Sequence, residues 1–305
     1  MSGRSPLKAL LQFVPVLYIV SLIVFMLVYL TGDPSALLIP EDASEEDRLV
    51  LVAAWGLDRP WYVQYLRYMG NILTGDFGVS YRYGTDALPV VLERIPATLT
   101  LTAGGLIVAI LIALPTGIFA ALRRNSMPDF AISAVTILGK AMPNFWVGIM
   151  LILVFGVWLR LVPVSGSGSF AHLILPALTL GTGFAAELTK LIRSSLLEVM
   201  GQDYIRTARA KGVPEILVIL RHGLRNALIP ALTMTSLHAI ALLGGALVTE
   251  TVFSWPGLGQ LVVQAVYTKD MAVIQIAVFV ITIMALTINL TTDALYRLID
   301  PRLRH

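Results

Sequence analysis

Long uncharged runs alternate with short charged segments along this chain, and the runs set its architecture. Residues 9–30 carry no charged side chain and are long enough to cross a hydrocarbon layer about 30 Å thick. Comparable runs lie at 98–122, within 130–159, and at about 173–192, 227–249 and 271–292. The pattern predicts an all-α polytopic membrane protein with six transmembrane helices. The third run is interrupted by Lys140 and by Pro143-Asn144. The fourth is the least hydrophobic, with Glu187, Lys190 and Arg193 in its last turns, so helix is expected to continue beyond the membrane there. The first run is too long for the apolar part of a cleaved signal and leaves into Thr31-Gly32-Asp33-Pro34 without a small-residue cleavage site, which favours a retained span.

Two polar stretches separate these runs. The first, 31–97, opens acidic (Glu41, Asp42, Glu45, Glu46, Asp47), with Ser44 placed to cap a short helix. It then turns aromatic, with Trp61, Tyr62, Tyr65, Tyr68 and Phe77, rings of the kind that settle at a membrane interface. The second, 203–230, reads as two short helices around a hinge. No breaker falls between Tyr204 and Lys211, and Gly212 is placed to end that helix in a left-handed conformation. Pro214 suits the first turn of the next helix, and Glu215 sits at its positive end. Arg206, Arg209, Lys211, Arg221 and Arg225 make this elbow basic. Such a segment must lie outside lipid, where a partner can dock.

Composition agrees with the pattern. Of 305 residues, 57% are hydrophobic and 13% charged, against about 25% charged in soluble domains. The absence of cysteine excludes disulfides, thiolate metal sites and cysteine nucleophiles, and the four histidines form no ligand-spaced pair. Charge also orients the chain. With six spans both termini share a side, and placing that side in the cytoplasm puts 14 of the 22 Lys and Arg inside, 7 outside and Lys140 within the membrane. Five of the outer seven fall in the long 31–97 loop, where the positive-inside bias counts little. The elbow is therefore expected to be cytoplasmic. The division that follows is an N-terminal segment with the first span (1–30), an extracytoplasmic loop (31–97), and a core of five spans (98–305) containing a cytoplasmic loop at 194–226.

Catalytic chemistry is hard to find. Gly139-Lys140 is followed by Ala141 in place of Ser or Thr, and Ala134 stands where a phosphate loop needs its first glycine, so the chain offers no such ATP site. Gly166-Ser167-Gly168 lacks the glycine spacing of a hydrolase elbow and reads as a flexible outer turn. The expectation is no catalytic residue, no metal site and no nucleic-acid partner. Two readings stand for Lys140: it lines a translocation path, or it snorkels to the cytoplasmic face. Glu187 and Lys190, three apart, read as a local helix pair, and Glu250 as a cap at the outer interface. Pro115 and Pro143 are hinges or tolerated kinks, and Gly181, Gly183, Gly244 and Gly245 permit close helix packing. Lys140, Asn144 and His238 are the candidate path residues.

The elbow resembles the Glu-Ala-Ala-x-x-x-Gly cytoplasmic loop of bacterial ABC-importer permeases. Arg206-Thr207-Ala208-Arg209-Ala210-Lys211-Gly212 matches at Ala208 and Gly212 and departs at Arg206 and Thr207. With Arg221-His222-Gly223-Leu224-Arg225-Asn226 it is similar to the peptide/nickel subfamily, specifically its first permease subunit. Gly32-Asp33-Pro34, Gly56-Leu57-Asp58-Arg59-Pro60, Gly75-Asp76-Phe77-Gly78, and the run from Glu250 through Trp255-Pro256-Gly257-Leu258-Gly259 extend the resemblance along the chain. The later Ile-x-Leu-Pro of the general family is not met at its usual spacing, since Ile229-Pro230 comes later. The resemblance implies a type I importer permease in the bacterial inner membrane. Its partners would be a second homologous permease, two ATPase chains carrying ATP and Mg, and an extracytoplasmic solute-binding protein. Tyr204, Arg206, Thr207, Ala208, Arg209, Ala210, Lys211 and Gly212 would form the ATPase-coupling helix. Dipeptides, longer peptides, glutathione, opines and nickel chelates are the substrate classes implied. The competing class is a six-helix secondary transporter or channel without ATPase partners, which would show inverted repeats and paired broken helices with ion ligands. No repeat between the halves is visible in the sequence.

Overall fold

A computed structural model of the chain describes residues 13–30, 46, 52–53, 58–80 and 82–299. The helix expected from Ser44, the Gly32-Asp33-Pro34 and Gly56-Leu57 motifs, and Arg302 and Arg304 lie outside these residues. The described residues form two compact units: those of Met1–Ile95 with Leu261–Thr287, and those of Pro96–Gln260 with Ile288–Leu303.

In the first unit, helix α1 (Phe13–Leu30) packs on α2 (Trp61–Thr74) through aromatic rings. Tyr65 is buried, meets Phe25 edge-on at 5.3 Å, and shares a 2.9 Å hydrogen bond between its hydroxyl and Ser21 Oγ. Burial, with Tyr65 beside it, pushes the Tyr68 phenol up to about 12. Of the aromatics expected at the membrane interface, Tyr65 and Tyr68 thus serve first as packing between helices, whereas Trp61 and Tyr62 are exposed. A two-stranded antiparallel hairpin follows, β1 (Val79–Ser80) pairing with β2 (Thr85–Asp86) in the register Val79–Asp86 and Ser80–Thr85. A short helix, α3 (Ala87–Leu92), leaves it. The buried Ser80 hydroxyl donates to Asp270, whose other oxygen accepts the Val273 N–H at 3.3 Å and so caps the final helix.

The second unit is built around α4 (Ile95–Leu122), α7 (Phe170–Met200) and α10 (Arg225–Val252). Leu101, Ala109, Leu180, Leu188, Ile192, Ala231 and Ala246 from these helices share one apolar core. Glycines set the approach of α4 to α7. A methyl group at Gly117 would lie 2.9 Å from Ile192 Cβ and from the Thr189 carbonyl, and one at Gly105 would lie 3.0 Å from the Leu180 side chain. Packing at such distances is what holds helices together where lipid removes the hydrophobic drive. Pro115 lies within α4 without ending it.

The third span is broken. Helix α5 (Met127–Ala141) ends where Pro143 forces Met142 into extended backbone (φ −81°, ψ 130°). Helix α6 (Asn144–Leu151) then leaves at a bend of 106° and widens into a π-helical stretch, Ile152–Trp158. The turn at Gly166 and Gly168 has positive φ at both glycines, and the Gly166 N–H donates to the Phe253 carbonyl at 2.9 Å.

After α7 comes the elbow: α8 (Asp203–Ala210), Gly212 at φ +76°, and Pro214 ahead of α9 (Glu215–Leu217). The sequence suggested a second short helix here. Instead helix runs unbroken from Glu215 through a π-helical stretch, Val218–Leu224, into α10, for 38 residues. Gly223 and Pro230 are both accommodated inside the helix. The described residues end in α11 (Leu258–Tyr267) and α12 (Met271–Ile299). Among the described residues four helices are long and apolar enough to cross a membrane, or five counting the broken pair as one; the described apolar part of α1 is shorter.

Glu250 overturns its sequence assignment as an interfacial cap. It is fully buried at the end of α10, accepts the Thr98 hydroxyl at 2.7 Å and the Gln260 N–H at 3.0 Å, and has the turn at Gly257 folded against its carboxylate. Thr98 Oγ1 in turn accepts the Leu258 N–H at 2.8 Å, and the Trp255 indole donates to the Ala97 carbonyl at 2.9 Å. The segment 253–260 is therefore stitched down onto the start of α4.

Candidate translocation cleft and docking elbow

Lys140, Asn144 and His238, each singled out from sequence, line one pocket of about 280 Å³. Its centre is a residue read differently from sequence. Glu187 on α7 accepts from Lys140 Nζ through Oε1 at 2.9 Å and from His238 Nε2 through Oε2 at 3.0 Å. The expected Glu187–Lys190 pair is replaced by contacts from α5 and α10. Lys140 sits at the last turn of α5, just before the break, so the bend carries its side chain into the cleft. Lys140 is held there in an ion pair while its side chain stays 68% exposed. His238 also stacks on Phe184, ring centroids 4.2 Å apart and planes 30° apart, which fixes the imidazole edge toward Glu187. Asn144 stands opposite Gly183, where an added methyl group would come within 2.9 Å of its Oδ1. Lys140, Glu187 and His238, one ionisable residue on each of three spans, are the signal the sequence carries; a partner on Glu187's own helix is only the nearest one along the chain.

The elbow has two faces. Ile205 and Ala208, three apart on α8, are buried and pack with Val218, with Met200 and Val213 at the edge. Tyr204, Arg206, Thr207, Arg209, Ala210, Lys211 and Gly212 are exposed. Ala208, one of the residues expected in the coupling helix, faces inward against Ile205 and Val218. The elbow is closed by a two-point ion pair, Arg209 Nε donating to Glu215 Oε2 at 3.0 Å and Nη2 to Oε1 at 2.6 Å. Asn226 Nδ2 donates to the Tyr204 hydroxyl at 3.0 Å, tying α8 to the start of α10. Within 194–226, residues through Met200 continue α7 and those from Glu215 belong to the following helix, which leaves 201–214 as the connecting elbow.

A second polar tie lies beside it. Asp129, buried at the start of α5, takes Arg193 Nε at 2.6 Å and Nη2 at 2.7 Å and also accepts the Asn125 N–H at 3.0 Å. Sequence reading placed Arg193 only in the last turns of the fourth span.

An all-helical, multi-pass membrane protein with a polar cleft between its helices and a rigidly mounted basic elbow is a transport component. The chain belongs to the family described as binding-protein-dependent transport system inner membrane component, matched over residues 113–305, with the N-terminal membrane component of the same systems matched over 6–102. It is 41% identical over 300 residues to the glutathione transport system permease protein GsiC of Escherichia coli (strain K12), covering 98% of each chain. It is 38% identical over 311 residues to the oligopeptide transport system permease protein AppB of Bacillus subtilis (strain 168), again covering 98% of each. Among solved structures, the inward-facing MetNI methionine ABC transporter is similar in fold, with a TM-score of 0.59 at 19% identity over 69% of this chain and 96% of that one. An amino acid ABC transporter gives 0.51 at 16% identity. The protein is thus a first-type permease subunit of the peptide/nickel group, a multi-pass inner-membrane component of a binding-protein-dependent ABC importer and not an enzyme. Such a system includes ATPase, binding-protein and second-permease partners.

Proposed function

We propose that the chain forms one half of an import path for glutathione, short peptides or related small solutes, in the type I arrangement. Six helices cross the membrane with both termini cytoplasmic, 31–97 faces outward, and 98–305 is the transporting core. A second homologous permease supplies the other half, one of two ATPase chains receives the exposed face of Tyr204–Gly212, and an extracytoplasmic binding protein delivers the solute. Lys140, Asn144 and His238, with Glu187, line the path.

The observation that carries this reading is the mounting of the elbow: an exposed cationic face backed by its own small core and joined by short turns to two long helices, in a chain without a phosphate loop. A push on α8 is transmitted to α7 and α10, the helices that hold Glu187 and His238. Rigid-body switching of this kind needs two states with different partner contacts. The test is uptake of glutathione and of trialanine into proteoliposomes holding the full complex, with Arg209→Cys and Lys211→Cys cross-linking alongside. Uptake that requires ATP and the binding protein, with cross-links to an ATPase chain, is the expected result. Uptake independent of ATP, or cross-links to the binding protein alone, overturns the reading.

A further inference from the structure

We infer that the Lys140–Glu187 pair is a binding site for an α-amino-carboxylate head group, a ligand end bearing ammonium and carboxylate on one carbon. This deepens the transport reading above and rests on it. Neither partner is saturated by the contacts it makes. An ammonium has three N–H donors and a carboxylate about four lone-pair sites. Lys140 Nζ uses one donor on Glu187 Oε1, and the carboxylate receives one bond on each oxygen. Two donors of a largely exposed lysine and the spare lone pairs of a three-quarters-buried glutamate therefore stand side by side, 2.9 Å apart, in a pocket of about 280 Å³. That volume lies just under the range of about 300–1,000 Å³ in which small-molecule sites fall.

The spacing selects the ligand. A carboxylate accepting from Lys140 and an ammonium donating to Glu187 must be as close to each other as the two side chains are. One tetrahedral carbon bearing both groups meets that condition, and the four charges then alternate around a ring. In a tripeptide with ordinary termini the charged ends are separated by about 10 Å of extended chain, too far to satisfy both partners without folding back. A γ-glutamyl end, as in glutathione, keeps the α-amino and α-carboxyl groups on one carbon. His238, stacked on Phe184, holds Oε2 of Glu187 in place while Oε1 keeps Lys140 and the spare lone pairs of the carboxylate take the ligand ammonium. Asn144, on the far side of the break, offers an amide to the remainder of the ligand.

The experiment measures binding of glutathione, N-acetylglutathione and trialanine to the purified permease–ATPase complex without binding protein, so that the binding protein's own selectivity does not enter. Glutathione is expected to bind best. Blocking its ammonium by acetylation, or replacing Lys140→Met or Glu187→Gln, should weaken binding at least about tenfold, the loss expected for one charged hydrogen-bonding partner, and Lys140→Arg should restore most of it. Equal binding of glutathione and N-acetylglutathione, trialanine competing as well as glutathione, no measurable glutathione binding, or no effect of Lys140→Met in a complex that still assembles would each overturn the inference. ATP-driven, binding-protein-dependent uptake in the same preparation separates the two conclusions: if uptake is present and the binding pattern fails, only the head-group site falls.

Discussion

Thr98 and Glu250, at the start of α4 and the end of α10, are joined by a 2.7 Å hydrogen bond within a fully buried cluster. The carboxylate also holds the Gln260 N–H, and Thr98 holds that of Leu258. Two helix ends and the segment between 253 and 260 thus depend on one side chain. Glu250→Ala strands buried donors at about 1–3 kcal/mol each. It should lower the thermal-unfolding midpoint of the purified complex by several degrees. Glu250→Gln keeps an acceptor for Thr98 but turns an NH₂ group toward backbone N–H groups, so an intermediate loss is expected. A midpoint unchanged in the alanine variant would remove the anchoring role.

Gly212 has φ +76° and open space where a side chain would begin. Any effect of substitution there comes from backbone strain, on the order of 1–2 kcal/mol for a left-handed non-glycine residue. Gly212→Val should reduce binding-protein-stimulated ATP hydrolysis and uptake together, and Gly212→Asn should do less damage because Asn tolerates that region. Equal activity of both variants with the parent would show that the elbow does not need this conformation.

Gly117→Ala and Gly244→Ala are the same chemical change on two helices, with opposite expectations. A methyl group at 117 meets Ile192 Cβ and the Thr189 carbonyl at 2.9 Å, whereas at 244 it meets nothing within 4 Å. The first should lower the unfolding midpoint and the yield of assembled complex. The second should leave them unchanged or raise them, since alanine is favoured over glycine in a helix by about 1 kcal/mol. Fluorescence-detected thermal unfolding of the two variants side by side decides it.

Asp129→Ala leaves Arg193 without its fork partner. Breaking one side of a largely buried pair costs about 3–5 kcal/mol, and Arg193, 27% exposed, should place the loss at the lower end. Arg193→Lys keeps the charge and loses the two-point geometry, so partial destabilisation is expected. The exposed Arg209–Glu215 pair is the contrast: Glu215→Gln should barely move the unfolding midpoint, because water and salt screen that contact.

What could be read from sequence was whatever depends on neighbours along the chain. Gly212 was legible because a helix ending in a left-handed residue asks for glycine, and the α5–α6 break because Pro143 dictates the backbone of Met142. The uncharged runs gave the core helices, and the charges in the last turns of the fourth run gave the extension of α7 to Met200. Glu187 and Glu250 were misread for one shared reason. Each has its partners on other helices or across a loop that folds back, and a local rule supplies a local partner in their place. The inward face of Ala208 was missed similarly, because its small core includes Val218 from beyond the hinge.

The unbroken helix from Glu215 to Val252 fixes a length scale. At 1.5 Å per residue its 38 residues make a rod of about 57 Å. A tilt of about ten degrees about one end sweeps the other through about 10 Å, nearly the width of a helix with its side chains. One end carries the ion pair to Arg209 and the other carries Glu250. Angstrom-scale adjustments at an exposed cationic surface and at a sealed polar knot are therefore geometrically the same event, read from opposite ends of a single piece of backbone.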